Sequence, residues 1–75
     1  MTKEEIKQKG ITEYYLLIDG MNDDIVSRTD TMQQIKKDAR LYDNECDGEW
    51  EPILFKVDLN KEKGHRKTYI DEWCY

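Results

Sequence analysis

The chain holds a single histidine, His65, and only two cysteines, Cys46 and Cys74, which stand far apart and outside any Cys-x-x-Cys pair. A zinc site needs three or four closely spaced ligands, and these residues do not supply them. A nucleophilic triad would have to use His65, which lies in a basic stretch with no serine or cysteine nearby in sequence. The thiols are therefore expected to be free, as in a reducing compartment. One proline and four scattered glycines leave no glycine-rich phosphate loop. Long apolar runs are also missing, and Met1-Thr2-Lys3-Glu4-Glu5 lacks the apolar core of a secretion signal. The expectation is a cytoplasmic protein without membrane contact, cofactor or metal.

Charge is what the chain has in abundance. Charged residues make up 39% and hydrophobic ones 37%, with a formal net charge of −5. Such a polar composition raises disorder as a reading. Two Trp, five Tyr and one Phe, set in short blocks beside Ile, Leu and Val, argue for a packed core instead. Seventy-five residues enclose one core at most, so a second domain is excluded and association with another copy, as a homodimer, would add stability. Net negative charge disfavours sequence-blind binding to phosphate backbones and favours a basic partner.

Residues 1–10 read as a flexible or short helical arm, with Ile6 as the only apolar residue between Lys3 and Gln8. Residues 11–75 read as a single α+β domain. Ile11 to Asp19 is rich in strand formers, with Tyr14, Leu16 and Ile18 on one side and Tyr15 and Leu17 on the other. Asp19 to Asp23 has turn chemistry, and Asp24 to Arg28 makes the return strand of a hairpin. A helix is expected from Thr31 to about Asp43, capped by Asp30 with Gln33 as its reciprocal partner. Met32, Ile35, Ala39 and Tyr42 form its apolar stripe. Leu41 points nearly opposite Met32 and is expected to pack where the helix end bends into the loop. Pro52 opens a half-buried strand to Leu59, a polar loop follows, and Lys67 to Trp73 is the last strand.

The element order predicts a ββαββ fold: a four-stranded antiparallel sheet of order 2-1-3-4 with one helix packed on one face. The first strand is apolar on both sides. One side is expected to meet the helix, leaving Tyr15 and Leu17, with Leu54, open to a partner.

Asp43-Asn44-Glu45-Cys46-Asp47-Gly48 has the oxygen spacing of a calcium loop, but the twelfth position, where a bidentate Glu is needed, is Leu54. That leaves weak cation binding by Asp43, Glu45, Asp47 and Glu49 against the reading of an acidic surface loop. The same acids, flanked by Trp50, Trp73 and Tyr75 as aromatic anchors, suit a basic protein surface or mimic a nucleic acid. The opposite charge gathers at Lys61, Lys63, Arg66 and Lys67, which with Lys36, Lys37 and Arg40 would make a nucleic-acid contact. The expectation is a small, acidic, non-enzymatic protein-binding domain that regulates or inhibits a larger protein, of the kind common among phage accessory proteins. A nucleic-acid-binding module is the alternative.

Overall fold

The computed structural model describes all residues from Met1 to Tyr75. Its elements are α1 (Lys3–Gln8), β1 (Glu13–Asp19), β2 (Asp24–Thr29), α2 (Met32–Glu45), β3 (Pro52–Asp58) and β4 (Lys67–Ile70). The four strands form one sheet of order β2-β1-β3-β4, with every neighbouring pair antiparallel. This is the expected ββαββ arrangement, with α2 as the main helix.

The short N-terminal helix is better specified than its composition suggests. Thr2 caps it in a reciprocal box: the Thr2 hydroxyl accepts from the Glu5 amide and the Glu5 carboxylate accepts from the Thr2 amide. Its C-terminus closes on Gly10, at φ 69°, with the Gly10 amide bonded to the Lys7 carbonyl and the Ile11 amide to the Ile6 carbonyl. Only glycine adopts that backbone cheaply. Met1 and Ile11 pack around Ile6, which is 2% exposed. The N-terminal segment is thus a short helix docked through one buried side chain.

Two apolar clusters lie on opposite faces of the sheet. On the first, Leu17 and Leu54 meet Ile35 and Ala39 of α2, with Trp50 closing one end. Leu17, Leu54 and Ile35 are each wholly buried, and each side chain contributes roughly 1.5–3 kcal/mol through removal from water. On the second face, Tyr14, Leu16 and Val57 meet Ile6 of α1. The expectation for the two sides of β1 is therefore reversed. Leu17 lies under α2 with Tyr15 packed against the same cluster, so neither forms an open surface; the side carrying Leu16 and Ile18 is the partly uncovered one.

α2 starts one residue later than expected, because Thr31 rather than Asp30 adopts the extended cap conformation and accepts from the Gln34 amide. It also runs two residues further, to Glu45. There the Gly48 amide reaches back to the Asp43 carbonyl, with Asp47 at φ 52°. Met32, Ile35, Ala39 and Tyr42 all join the core as their spacing predicts. Leu41 does not pack at the helix end; it stays 56% exposed.

β4 stops at Ile70 rather than Trp73. The chain then folds back so that the Trp73 and Tyr75 rings lie 5.6 Å apart and Tyr75 lies 5.7 Å from Trp50. The three rings pack in tilted pairs beyond the end of β4.

β2 carries one irregularity with consequences for the second face. Leu17 pairs with Ser27 but Ile18 pairs with Ile25, so Val26 is an extra residue in a β-bulge. The bulge resets the alternation: Val26 and Ser27 turn towards α2, where the Ser27 hydroxyl donates to Asp38 at 2.7 Å. Ile25 and Arg28 both turn to the opposite face, beside Ile18 and Leu16. No helix is long and apolar enough to cross a membrane.

Candidate functional site

The second face of the sheet holds a groove of about 950 Å³ between α1, the β1–β2 hairpin and the β3–β4 loop. Its floor is apolar: Tyr14, Leu16, Ile18, Ile25, Val57 and Leu59. Ile25 is 51% exposed. Ile53, Phe55 and Tyr69 continue the same face across β3 and β4, in register with Ile18 and Leu16. Tyr69 is 58% exposed and packs edge-on against Phe55 at 6.0 Å.

The rim is basic on three sides. Lys3 and Lys7 come from α1, Arg28 from β2, and Lys63, Arg66 and Lys67 from the β3–β4 loop and the start of β4, with Asp23 the only acid. The chain has 12 Lys and Arg against 17 Asp and Glu. Half of its cations thus border one groove, in a molecule whose long-range field is negative. Arg66 is held in place by its Nε–H, which donates to the Lys61 carbonyl at 3.0 Å. Lys67 lies over the Phe55 ring, 5.7 Å from its centre.

Arg28 differs from the other rim residues. Its Nε is shielded from solvent and has no hydrogen-bond partner. A shielded donor without an acceptor is costly, and the side chain gains by turning towards an anion. The Arg28 carbonyl, in contrast, is satisfied by the Met1 ammonium at 2.6 Å, which ties α1 to the outer edge of β2.

The nucleic-acid set read from the sequence is divided by the fold. Lys63, Arg66 and Lys67 border the groove and Lys61 lies in the same loop, whereas Lys36, Lys37 and Arg40 belong to α2 on the opposite face. Lys3, Lys7 and Arg28 take their place at the groove. Sequence reasoning missed all three, although the four-residue spacing of the lysines on a capped helix was a usable sign.

The acidic connector is partly used internally. Asp43 Oδ1 accepts from Trp50 Nε1–H at 2.8 Å and from the Tyr75 hydroxyl at 2.9 Å. Trp50 is 7% exposed and belongs to the core, so it does not serve as a free anchor. Trp73 is half-buried against the same cluster and Tyr75 keeps 38% exposure. Burial, followed by the bond to Asp43, raises the Tyr75 phenol above its ordinary value. Because α2 extends through Glu45, Asp43 and Glu45 are helical and a calcium loop is not formed there. Glu45, Asp47 and Glu49 are exposed, and no three His, Cys, Asp or Glu side chains converge as a metal site would require.

Asp19 is the one acid that is almost wholly buried, at 1% exposure. Its Oδ2 accepts from the Tyr42 hydroxyl at 2.8 Å, and its Oδ1 accepts from the Met21 and Glu51 amides at 3.0 and 3.3 Å. Burial alone would raise this carboxyl; the Tyr42 hydroxyl, the two amides and Asn22 outweigh it and hold the carboxyl below its ordinary value. Both oxygens are engaged, and the group joins the β1–β2 turn, α2 and the start of β3. Comparison of the chain with protein-family models, with curated proteins and with solved structures returns no match.

Proposed function

We propose that the chain is a non-enzymatic protein-binding domain that regulates a larger protein by docking the open face of its sheet onto an acidic segment bearing apolar side chains. The observation that carries this reading is the segregation of charge and apolar surface: an apolar floor that α1 leaves open towards Ile18 and Ile25, bordered by six basic side chains and one acid, in an acidic molecule. An apolar floor supplies affinity through burial, and a rim of one sign supplies selection and orientation.

This reverses the partner charge expected from the net charge alone, because net charge averages over faces that bind separately. It also favours a different protein over a second copy. A two-fold dimer through this face sets the basic rim of one copy against that of the other, which is repulsive. The non-enzymatic part of the reading draws on where three reactive groups lie: His65 and Cys74 are exposed, and Asp19 is buried with both carboxylate oxygens hydrogen-bonded. A nucleic-acid partner gains less support, since α2's cations lie on the other face.

The test is photo-crosslinking in cells that naturally produce the chain, with the reactive group at position 25, 69 or 41. Positions 25 and 69 are expected to capture one protein, competed by unmodified chain, that binds the domain again after purification. Position 41, on the outer side of α2, is expected to capture none. Nucleic-acid adducts, capture from position 41 instead of 25, or no adduct from position 25 overturns the proposal.

A further inference from the structure

Resting on that reading, we infer that the groove receives an amphipathic α-helix of the partner, with an apolar stripe facing Ile18 and Ile25 and carboxylates on its flanks. The site is the face of a sheet, where helices pack, and not an edge, where strands add. The β2 edge beside it already has the Arg28 carbonyl taken by the Met1 ammonium.

The molecule contains a small instance of the same contact. α1 buries Ile6 to 2% exposure against Tyr14, Leu16 and Val57 while Lys3 and Lys7 stay at the groove. At six residues, α1 is about 9 Å long, and it leaves the Ile18 and Ile25 end of the face uncovered. A helix of about 15 residues spans roughly 22 Å, comparable to the 22 Å width of the molecule.

The charges suit a helix as well. Lys3 and Lys7 are four residues apart on α1, so their side chains are about 5–6 Å apart at Cβ, the spacing at which a neighbouring helix presents Glu at i and i+4. The loop cations Lys63, Arg66 and Lys67 face the other flank. Arg28 stands on β2, at the opposite edge of the sheet from β4, and on turning outward its unpartnered Nε–H with an Nη–H can hold one carboxylate side-on.

The probes are four synthetic peptides of equal length: a Leu/Glu amphipathic helix, the same composition scrambled, a Leu/Lys counterpart, and the Leu/Glu peptide broken by two central prolines. Mixed-sequence single-stranded DNA and anionic lipid vesicles complete the set. Binding to the full chain is followed by amide and methyl NMR shifts, and peptide helicity by circular dichroism.

The Leu/Glu helix is expected to bind, to gain helicity, to shift Ile18, Ile25 and Arg28, and to weaken at high salt. Ile25→Glu and Arg28→Gln are each expected to weaken it at least about tenfold. Equal binding by the proline-broken or scrambled peptide overturns the helical mode while leaving a protein-binding face. Binding of DNA or vesicles at the same residues, with no peptide binding, overturns both this inference and the proposed function. Binding of the Leu/Lys peptide instead overturns the charge assignment. Shifts confined to α2, or no shift with any probe, overturn the groove as the site.

Discussion

The Tyr42 hydroxyl donates to Asp19 Oδ2 at 2.8 Å across 23 positions of sequence, joining α2 to the end of the central strand. The bond holds both partners in their ordinary charge states, and this fixes how the fold responds to pH. Asp19 is ionised more readily in the folded chain than in the unfolded one. Its contribution to stability is therefore complete above the ordinary carboxyl value of 3.8 and is lost as pH falls through the lower folded value. Tyr42→Phe removes the strongest of the favourable donors and leaves the burial penalty. The variant should be less stable near neutral pH and should unfold at higher pH on acid titration. Urea midpoints measured from neutrality downwards check this: the gap between wild type and variant should narrow as Asp19 protonates in both.

At the alkaline end the sign is opposite. The hydrogen bond to Asp19, then burial, then Cys46 raise the Tyr42 phenol, and burial followed by Asp43 raises Tyr75. The neutral phenols are favoured by folding, so their contribution is complete below the ordinary value of 10.0 and is lost as pH rises beyond it. Absorbance of phenolate should show a late component, and Tyr42→Phe and Tyr75→Phe should each remove part of it. A titration unchanged by either substitution would contradict the bonding described.

α1 should behave as part of the core and not as a loose arm. Gly10→Ala is expected to cost about 1 kcal/mol through its positive φ, although no atom lies within 4 Å of the added carbon. Gly10→Asn should cost less, since asparagine tolerates that backbone better. Ile6→Ala is expected to cost about 2–4 kcal/mol by emptying the space under α1. Denaturant unfolding with unchanged slope checks all three. An Ile6→Ala variant as stable as wild type would return residues 1–10 to the status of an arm.

The strand order and the stripe of α2 were readable because alternation and three-to-four spacing report which residues share a face. Ile53, Phe55 and Val57 alternate in β3, and Ile35 and Ala39 step along α2, so these elements emerged with small boundary errors. Alternation does not report which face a helix covers when both are apolar, as in β1. That choice follows from the hand of the crossover between β2 and β3, which run parallel on either side of β1. The groove itself was hidden for two local reasons. The bulge at Val26 brings Ile25 and Arg28 to one face against the simple period of two. The spacing from Thr2 to Glu5, with Met1 and Ile6 flanking it and Gly10 ending it, marked α1, but a segment with one apolar side chain gave no stripe to read.

Ile25 and Leu41 separate binding from folding. Both are large apolar side chains left in water, at 51% and 56% exposure. Neither fills a core, so Ile25→Glu and Leu41→Glu should each change stability by no more than about 0.5 kcal/mol. Their surroundings differ: Ile25 lies on an apolar floor inside a basic rim, whereas Leu41 stands alone on the outer side of α2, and single exposed apolar residues are ordinary. Thermal unfolding should not distinguish the two variants, and titration with the acidic helical peptide should. Loss of binding in Ile25→Glu with full binding in Leu41→Glu places recognition on the second sheet face. Equal loss in both, or loss only in Leu41→Glu, would move it to α2, because a substitution that leaves the fold intact reports only on the surface it occupies.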